Sequence, residues 1–342
     1  MALTVIRNRE HQRHAPEWET AWQSSLAYAE TPERLTAIER AIAGIPALRD
    51  AAVESVPAGV LTAVHAPAYL AHLELLTRQL HDDADYCTPQ VLPGPGRLRL
   101  PDDRYAHIIA AYALDVTTPF GRQTLACAQH SAALAWTGAG CLLAGDKRAY
   151  AMCRPPGHHA ERARYGGFCF INNASVAAQR LLAAGRVAIV DIDYHHGNGT
   201  QDIWYDRPEV LYVSLHADPA REFPYTSGYA DETGTGAGLG CNLNMPLPKT
   251  TDDDAYLAAL ATGLEKVRAF APAHVIVSLG VDAHHADPVG GMRLTDAAYP
   301  AMGNMFAELG LPLLMVQEGG YNVETIGGLV SGFLRALTLH DR

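Results

Sequence analysis

Val187-Ala-Ile-Val-Asp191-Ile-Asp193-Tyr-His195-His196-Gly197-Asn198-Gly199 is an apolar, β-branched run that ends in metal-ligand residue types. Alternate residues of a strand share a face, so Asp191, Asp193 and His195 line up if the chain stays extended. Carboxylate and imidazole side by side make half of a zinc site. Outward from this stretch, apolar runs at 149–153, 210–215, 274–279 and 312–316 alternate with helical segments, the signature of parallel βαβ units. The segment 173–184 has helix-forming composition and a stop at Gly185, so it serves as a right-handed crossover between two of the strands. Each strand is followed by a polar cluster: Arg154-Pro-Pro-Gly-His158-His159, Asp193-Tyr-His195, His216-Ala-Asp218, Asp282-Ala-His284-His285 and Gln317-Glu318-Gly-Gly-Tyr321. Ligands of open α/β sheets bind outside the carboxyl ends of the strands. The expectation is a three-layer α/β fold, a mostly parallel central sheet flanked by helices, with one site at that edge.

The first third reads as helical. Thr31-Pro32-Glu33 starts one helix, continued by Leu35, Ile38 and Ile42, and a second runs over 68–80. The proline- and aspartate-rich stretch at about 81–104 reads as a loop insertion in a single domain spanning 1–342. The chain has 342 residues, 48% of them apolar, and a net charge of −11. That balance argues against a nucleic-acid partner and suits a cationic substrate. Six cysteines without CxxC pairs fit a reducing compartment. The N-terminal residues lack a signal peptide's apolar core and no span reaches membrane length, so a cytoplasmic protein without a membrane partner is expected.

Amide hydrolysis at neutral pH requires an activated water, which a bound metal supplies. Asp193, His195 and Asp282 are the candidate ligands, each just past a strand. An isolated aspartate there commonly caps the next helix, but the Asp-x-His pair next to it favours a ligand. His158 and His159 follow a rigid Pro-Pro-Gly turn and suit proton transfer. Tyr321 follows two glycines, which let the backbone bring its hydroxyl close to an oxyanion. The glycine-rich 234–240 segment lacks GxGxxG spacing and follows a polar loop, so it is no dinucleotide site.

Arg154-Pro-Pro-Gly-His-His159, Gly166-Gly-Phe-Cys-Phe-Ile-Asn-Asn173, Asp191-Ile-Asp-Tyr-His-His-Gly-Asn-Gly-Thr200, Ser278-Leu-Gly-Val-Asp-Ala283 with Asp287-Pro288, and Glu318-Gly-Gly-Tyr321 together resemble the histone deacetylase superfamily, and within it the bacterial acetylpolyamine amidohydrolases. The resemblance implies the arginase/deacetylase fold and a zinc-dependent removal of acetyl groups from acetylated polyamines or similar small acetylated amines. It implies Zn²⁺ on Asp193, His195 and Asp282, one per chain, although two carboxylates and an imidazole also suit Fe²⁺ or Co²⁺. His159 would act as general base and acid, with His158 as electrostatic support and Tyr321 polarising the acetyl carbonyl. Asp191 and Asn198 would orient the two histidines. Gly167, Phe168 and Phe223 match the substrate tunnel, Asp115 falls near the rim carboxylate, and Val289 leaves no acidic gatekeeper. A structural K⁺ is implied near Asp191, Asp193, His195, Ser214 and Leu215, and a homodimer through the 81–104 insertion.

Three other readings compete. A broad acyl-lysine deacetylase would share the same machinery. An arginase-like dimanganese hydrolase would draw on Asp282-Ala-His284-His285-Ala-Asp287, with the wrong spacing and no task for Tyr321. A non-catalytic acyl-amine binder would require a broken ligand or base, and every candidate is intact.

Overall fold

The computed structural model describes residues 2–21, 24–82, 85–91 and 111–339. Among these residues eight strands make the central sheet: β1 (Leu3–Ile6), β2 (Leu48–Asp50), β3 (Arg148–Ala151), β4 (Val187–Asp191), β5 (Val210–Ala217), β6 (Asn242–Leu247), β7 (His274–Leu279) and β8 (Leu313–Gln317). Their order is β6-β5-β4-β7-β8-β3-β1-β2, and each neighbouring pair is parallel. All five expected strands are present, with ends shifted by at most two residues.

The additional strands are β1, β2 and β6. Two of them, β2 and β6, are edge strands, and each of the three carries a weak signal. Leu3-Thr-Val-Ile6 is only four residues long, and β2 has three. In β6 the sequence Asn-Leu-Asn-Met-Pro-Leu includes Pro246, which a strand tolerates at a sheet edge.

Strand alternation feeds two cores. Ala188 and Val190 pack on one side with Leu260, Leu264, Tyr299 and Phe333. Val187 and Ile189 pack on the other with Ala132, Ala135, Phe170 and Val176. Helices Glu33–Ile42, Asp253–Phe270, Ala298–Ala307 and Ile326–Leu339 cover the first face, while Pro67–Gln79, Thr124–Leu143 and Asn173–Leu181 cover the second. The helices expected from Thr31, over 68–80 and from Asn173 thus all form, the last passing into a 3-10 turn, Leu182–Ala184, that stops at Gly185 with φ 131°. Burial of each large aliphatic side chain contributes about 1.5–3 kcal/mol, and this double core fixes the strand ends from which the site grows.

Of the expected 81–104 insertion, Tyr86–Cys87 pairs antiparallel with Phe120–Gly121. Residues 83–84 and 92–104 lie outside the described residues. Among the described residues no helix is long and apolar enough to cross a membrane.

Candidate active site

Beyond Asp191 the chain leaves β4 with its polar side chains turned inward. Asp193 Oδ1 accepts the His195 N–H at 2.9 Å, and Oδ2 accepts the Gly319 N–H at 2.8 Å. Asp282 arrives from the adjacent β7, where its Oδ1 accepts the Tyr194 N–H at 2.8 Å. Its Oδ2 lies 3.0 Å from His195 Nδ1, which is 3.4 Å from Asp193 Oδ1. One ligand atom from each of Asp193, His195 and Asp282 falls within 4.8 Å of the others.

These donors fit a divalent cation. Two buried carboxylates share one imidazole, leaving an excess of negative charge away from water. Burial and the Asp193 charge push the Asp282 carboxyl up to about 7. Burial opposes ionisation of Asp193 too, but His158 and His195 overcome it and hold that carboxyl far below the usual range. The chain also keeps side chains out of the cluster. A Cβ on Gly280 would lie 2.0 Å from Asp193 Oδ2, and one on Gly319 would lie 2.5 Å from the same atom. Two oxygens and a nitrogen match Zn²⁺, and also Fe²⁺ or Co²⁺.

The two histidines have different partners. His158 Nδ1 lies 3.1 Å from Asp191 Oδ2, which also accepts the Tyr212 hydroxyl at 3.0 Å. Burial alone would depress the His158 ring, but the Asp193 and Asp191 carboxylates raise it to about 10. His159 Nδ1 is 2.7 Å from Asn198 Oδ1. The Asn198 amide group donates to Glu161 Oε1 at 2.9 Å, so its oxygen is left to accept. His159 Nδ1 therefore carries the proton and Nε2 keeps the lone pair. Burial, then the neighbouring His158 and His195, holds the His159 ring well below its ordinary value.

His159, His195, Gly167, Phe168, Phe223, Val289, Tyr321 and Asp115 line one pocket above this floor. The Phe223 ring centroid is 4.9 Å from that of His159, and Phe168 meets Tyr321 edge-on at 5.7 Å. Gly167 has φ 52°, and a Cβ there would lie 2.3 Å from His159 Cδ2, so only glycine fits. Asp115 lines the pocket with its oxygens already engaged. They accept the amides and hydroxyls of Thr117 and Thr118 and, at 2.7 Å, the Gly167 N–H. Ser214 is the β5 register partner of Asp191, with the buried Leu215 next to it, so these two abut the Asp191–His195 stretch. Ser214 Oγ is 2.8 Å from His216 Nδ1.

His284 and His285 turn away from the three candidate ligands. His284 Nε2 is 3.0 Å from Asp296, and His285 Nδ1 is 3.0 Å from the Leu294 carbonyl. An arginase-like ligand set built on them has no support.

Two buried residues were given no role in the sequence reading. Glu318 Oε2 accepts the Gly157 and His158 N–H groups at 2.7 and 3.1 Å, and burial pushes this carboxyl up to about 8. Its position at the end of β8 was the available signal. Arg34 donates to the Glu318 and Gly320 carbonyls, and its guanidinium lies 4.8 Å from the centre of the Tyr321 ring. Nothing local in its helix distinguishes it from a surface arginine.

Residues 28–337 match the histone deacetylase domain. The chain is 46% identical over 241 residues to an acetylpolyamine amidohydrolase of Mycoplana ramosa, an alignment covering 70% of each protein. It is 41% identical over 196 residues to histone deacetylase 15 of Arabidopsis thaliana, covering 56% of this chain and 36% of that one. The crystal structure of an acetylpolyamine aminohydrolase from Burkholderia pseudomallei superposes with a TM-score of 0.91 at 34% identity, covering 98% of both chains.

Proposed function

The chain belongs to the histone deacetylase family, and from that premise we propose that it is a zinc-dependent amidohydrolase that removes acetyl groups from acetylated polyamines or similar small acetylated amines. The observation that carries this reading is the convergence of buried Asp193, His195 and Asp282 beneath a pocket lined by both His159 and Tyr321. Asp193, His195 and Asp282 would hold the metal, which when bound lowers the pKa of water and polarises a carbonyl. His159, protonated at Nδ1 by its bond to Asn198, offers Nε2 to take the water's proton and return it to the leaving amine. His158, kept cationic against Asp191, supplies positive charge next to the reacting centre. The Tyr321 hydroxyl donates to the acyl oxygen as negative charge develops there. Phe168 and Phe223 grip the methylene stem, at roughly 0.8 kcal/mol for each buried CH₂.

The net charge of −11 favours a cationic amine over an anionic one. Asp191, Asp193, His195, Ser214 and Leu215 would hold a structural K⁺. A homodimer joined through the 81–104 insertion and a cytoplasmic location complete the reading. The similarity to a plant histone deacetylase keeps one alternative, a broad acyl-lysine protein deacetylase.

Acetate release from N-acetylputrescine, N-acetylcadaverine and an acetyl-lysine peptide tests the assignment, with Asp193→Ala as the control. The two acetylated diamines are expected to turn over faster than the peptide. A peptide turned over far faster than both would move the assignment to the protein deacetylase. Metal analysis is expected to give one Zn²⁺ per chain, and two Mn²⁺ would overturn the zinc mechanism.

A further inference from the structure

Asp287 lies outside the pocket lining, yet its carboxylate accepts four backbone N–H bonds from two loops. Oδ2 takes the amides of Tyr321 and Asn322 at 2.7 and 3.3 Å. Oδ1 takes those of Val289 and Gly290 at 3.0 and 3.2 Å. One side chain thus ties the loop after β7, which carries Asp282 and Val289, to the loop after β8, which carries Tyr321.

Tyr321 needs such a tie because of the residues before it. Gly320 has φ 115°, and a Cβ there would lie 2.4 Å from Val281 Cγ2, so the approach to Tyr321 is made by a backbone with little conformational preference of its own. Neighbouring groups of this loop are held elsewhere, the Gly319 N–H by Asp193 and the Glu318 and Gly320 carbonyls by Arg34. The amide of Tyr321 itself goes to Asp287.

We propose that Asp287 is a positioning residue for the deacetylation: it acts through Tyr321, fixing where the phenol stands over the pocket relative to the wall at Val289. The inference rests on the deacetylase reading, in which Tyr321 has a chemical task. Misplacing a reacting group by about 1 Å costs on the order of 10²-fold in rate. Asparagine is a discriminating replacement, because both carboxylate oxygens are in use. Whichever way the amide turns, its NH₂ faces two N–H donors.

The test is a double-mutant cycle of Asp287→Asn with Tyr321→Phe, assayed on N-acetylputrescine with the zinc-loaded protein. Asp287→Asn is expected to lower kcat by roughly 10- to 100-fold with KM within about twofold. In the Tyr321→Phe background it is expected to cost almost nothing further. Hydrogen exchange at residues 319–322 is expected to quicken, with zinc content unchanged. If the two losses multiply in the double variant, or the whole effect falls on KM, Asp287 is an ordinary loop anchor and the inference is wrong. Asp287→Glu keeps both oxygens and guards against misfolding of the asparagine variant. It too should lose kcat, and full activity in it would overturn the proposal. A wild-type protein inert toward every acetylated amine would instead overturn the deacetylase reading.

Discussion

The floor of the pocket and its mouth are made in different ways. At the floor, Asp191, Asp193 and Asp282 are at most 1% exposed and sit at or just beyond the ends of adjacent parallel strands. Their oxygens are tied to backbone amides and imidazoles, so little can move without breaking several bonds together. At the mouth, Phe168 adopts positive φ and Val289 stands on a loop. Loops on a rigid scaffold are where selectivity can vary without disturbing chemistry. The difference teaches that the proposed chemistry rests on the sheet ends, while the loops at the rim are where a choice among amines can vary without disturbing it.

The largest effects should therefore follow changes at the floor. Asp282→Ala removes one of the three proposed ligands and leaves only Asp193 and His195 to face the metal. Acetate release should fall by about 10³-fold or more, together with the bound metal measured by elemental analysis. His159→Ala should cost about 10²- to 10⁴-fold in kcat while the metal stays bound. Loss of metal from the His159 variant would mean that the floor is a single unit rather than separable ligands and base.

Outside the pocket lining, the buried His65 allows a test of stability alone. Its Nδ1–H donates to the Glu161 carbonyl at 2.9 Å, and Nε2 accepts the Asn172 N–H at 3.0 Å, so the ring is neutral. Burial holds it at about 4. A folded value below the unfolded one of about 6.5 gives stability that is fully present above pH 6.5 and is lost as pH falls through 4. The expected loss is at most about 3 kcal/mol. Urea titrations at pH 7 and pH 4.5 measure it, and His65→Gln should flatten the slope.

Much of this floor was legible in the sequence because its signals are local. Five apolar runs ending in Asp, His, Glu and Gly give both the parallel sheet and its active edge. The strands β1, β2 and β6 were not legible, being short or interrupted by proline. Asp115 is engaged partly by its neighbours Thr117 and Thr118, but the bond that ties it to the pocket wall, from the Gly167 N–H, comes from 52 residues away, and no pattern near Asp115 announces it. Arg34 and Asp287 are alike in this, since each acts by bonding the backbone of a distant loop.

Behind His159, outside the pocket lining, stands Asn198. Asn198→Ala leaves His159 Nδ1 without its acceptor and frees the tautomer. A loss of about 10- to 100-fold in kcat is expected, with KM unchanged, from steady-state rates on N-acetylputrescine. A larger change in KM than in kcat would place Asn198 with the rim.

The smallest expected effect is also the sharpest test of the division, since Asp115 belongs to the mouth by position and to the scaffold by bonding. Its oxygens hold the Thr117, Thr118 and Gly167 amides, and Gly167 carries the Phe168 wall. An asparagine at 115 turns one of those attractions into a clash of two N–H groups and lets the wall relax. A rise of about tenfold in KM is expected, consistent with losing a charge-assisted hydrogen bond of about 1.5 kcal/mol. Because the fault lies in the wall, the rise should be equal for N-acetylputrescine, which carries an ammonium, and for N-butylacetamide, which does not. A rise confined to the ammonium substrate would show that Asp115 receives the cation directly, and selectivity would then begin one layer deeper than the rim.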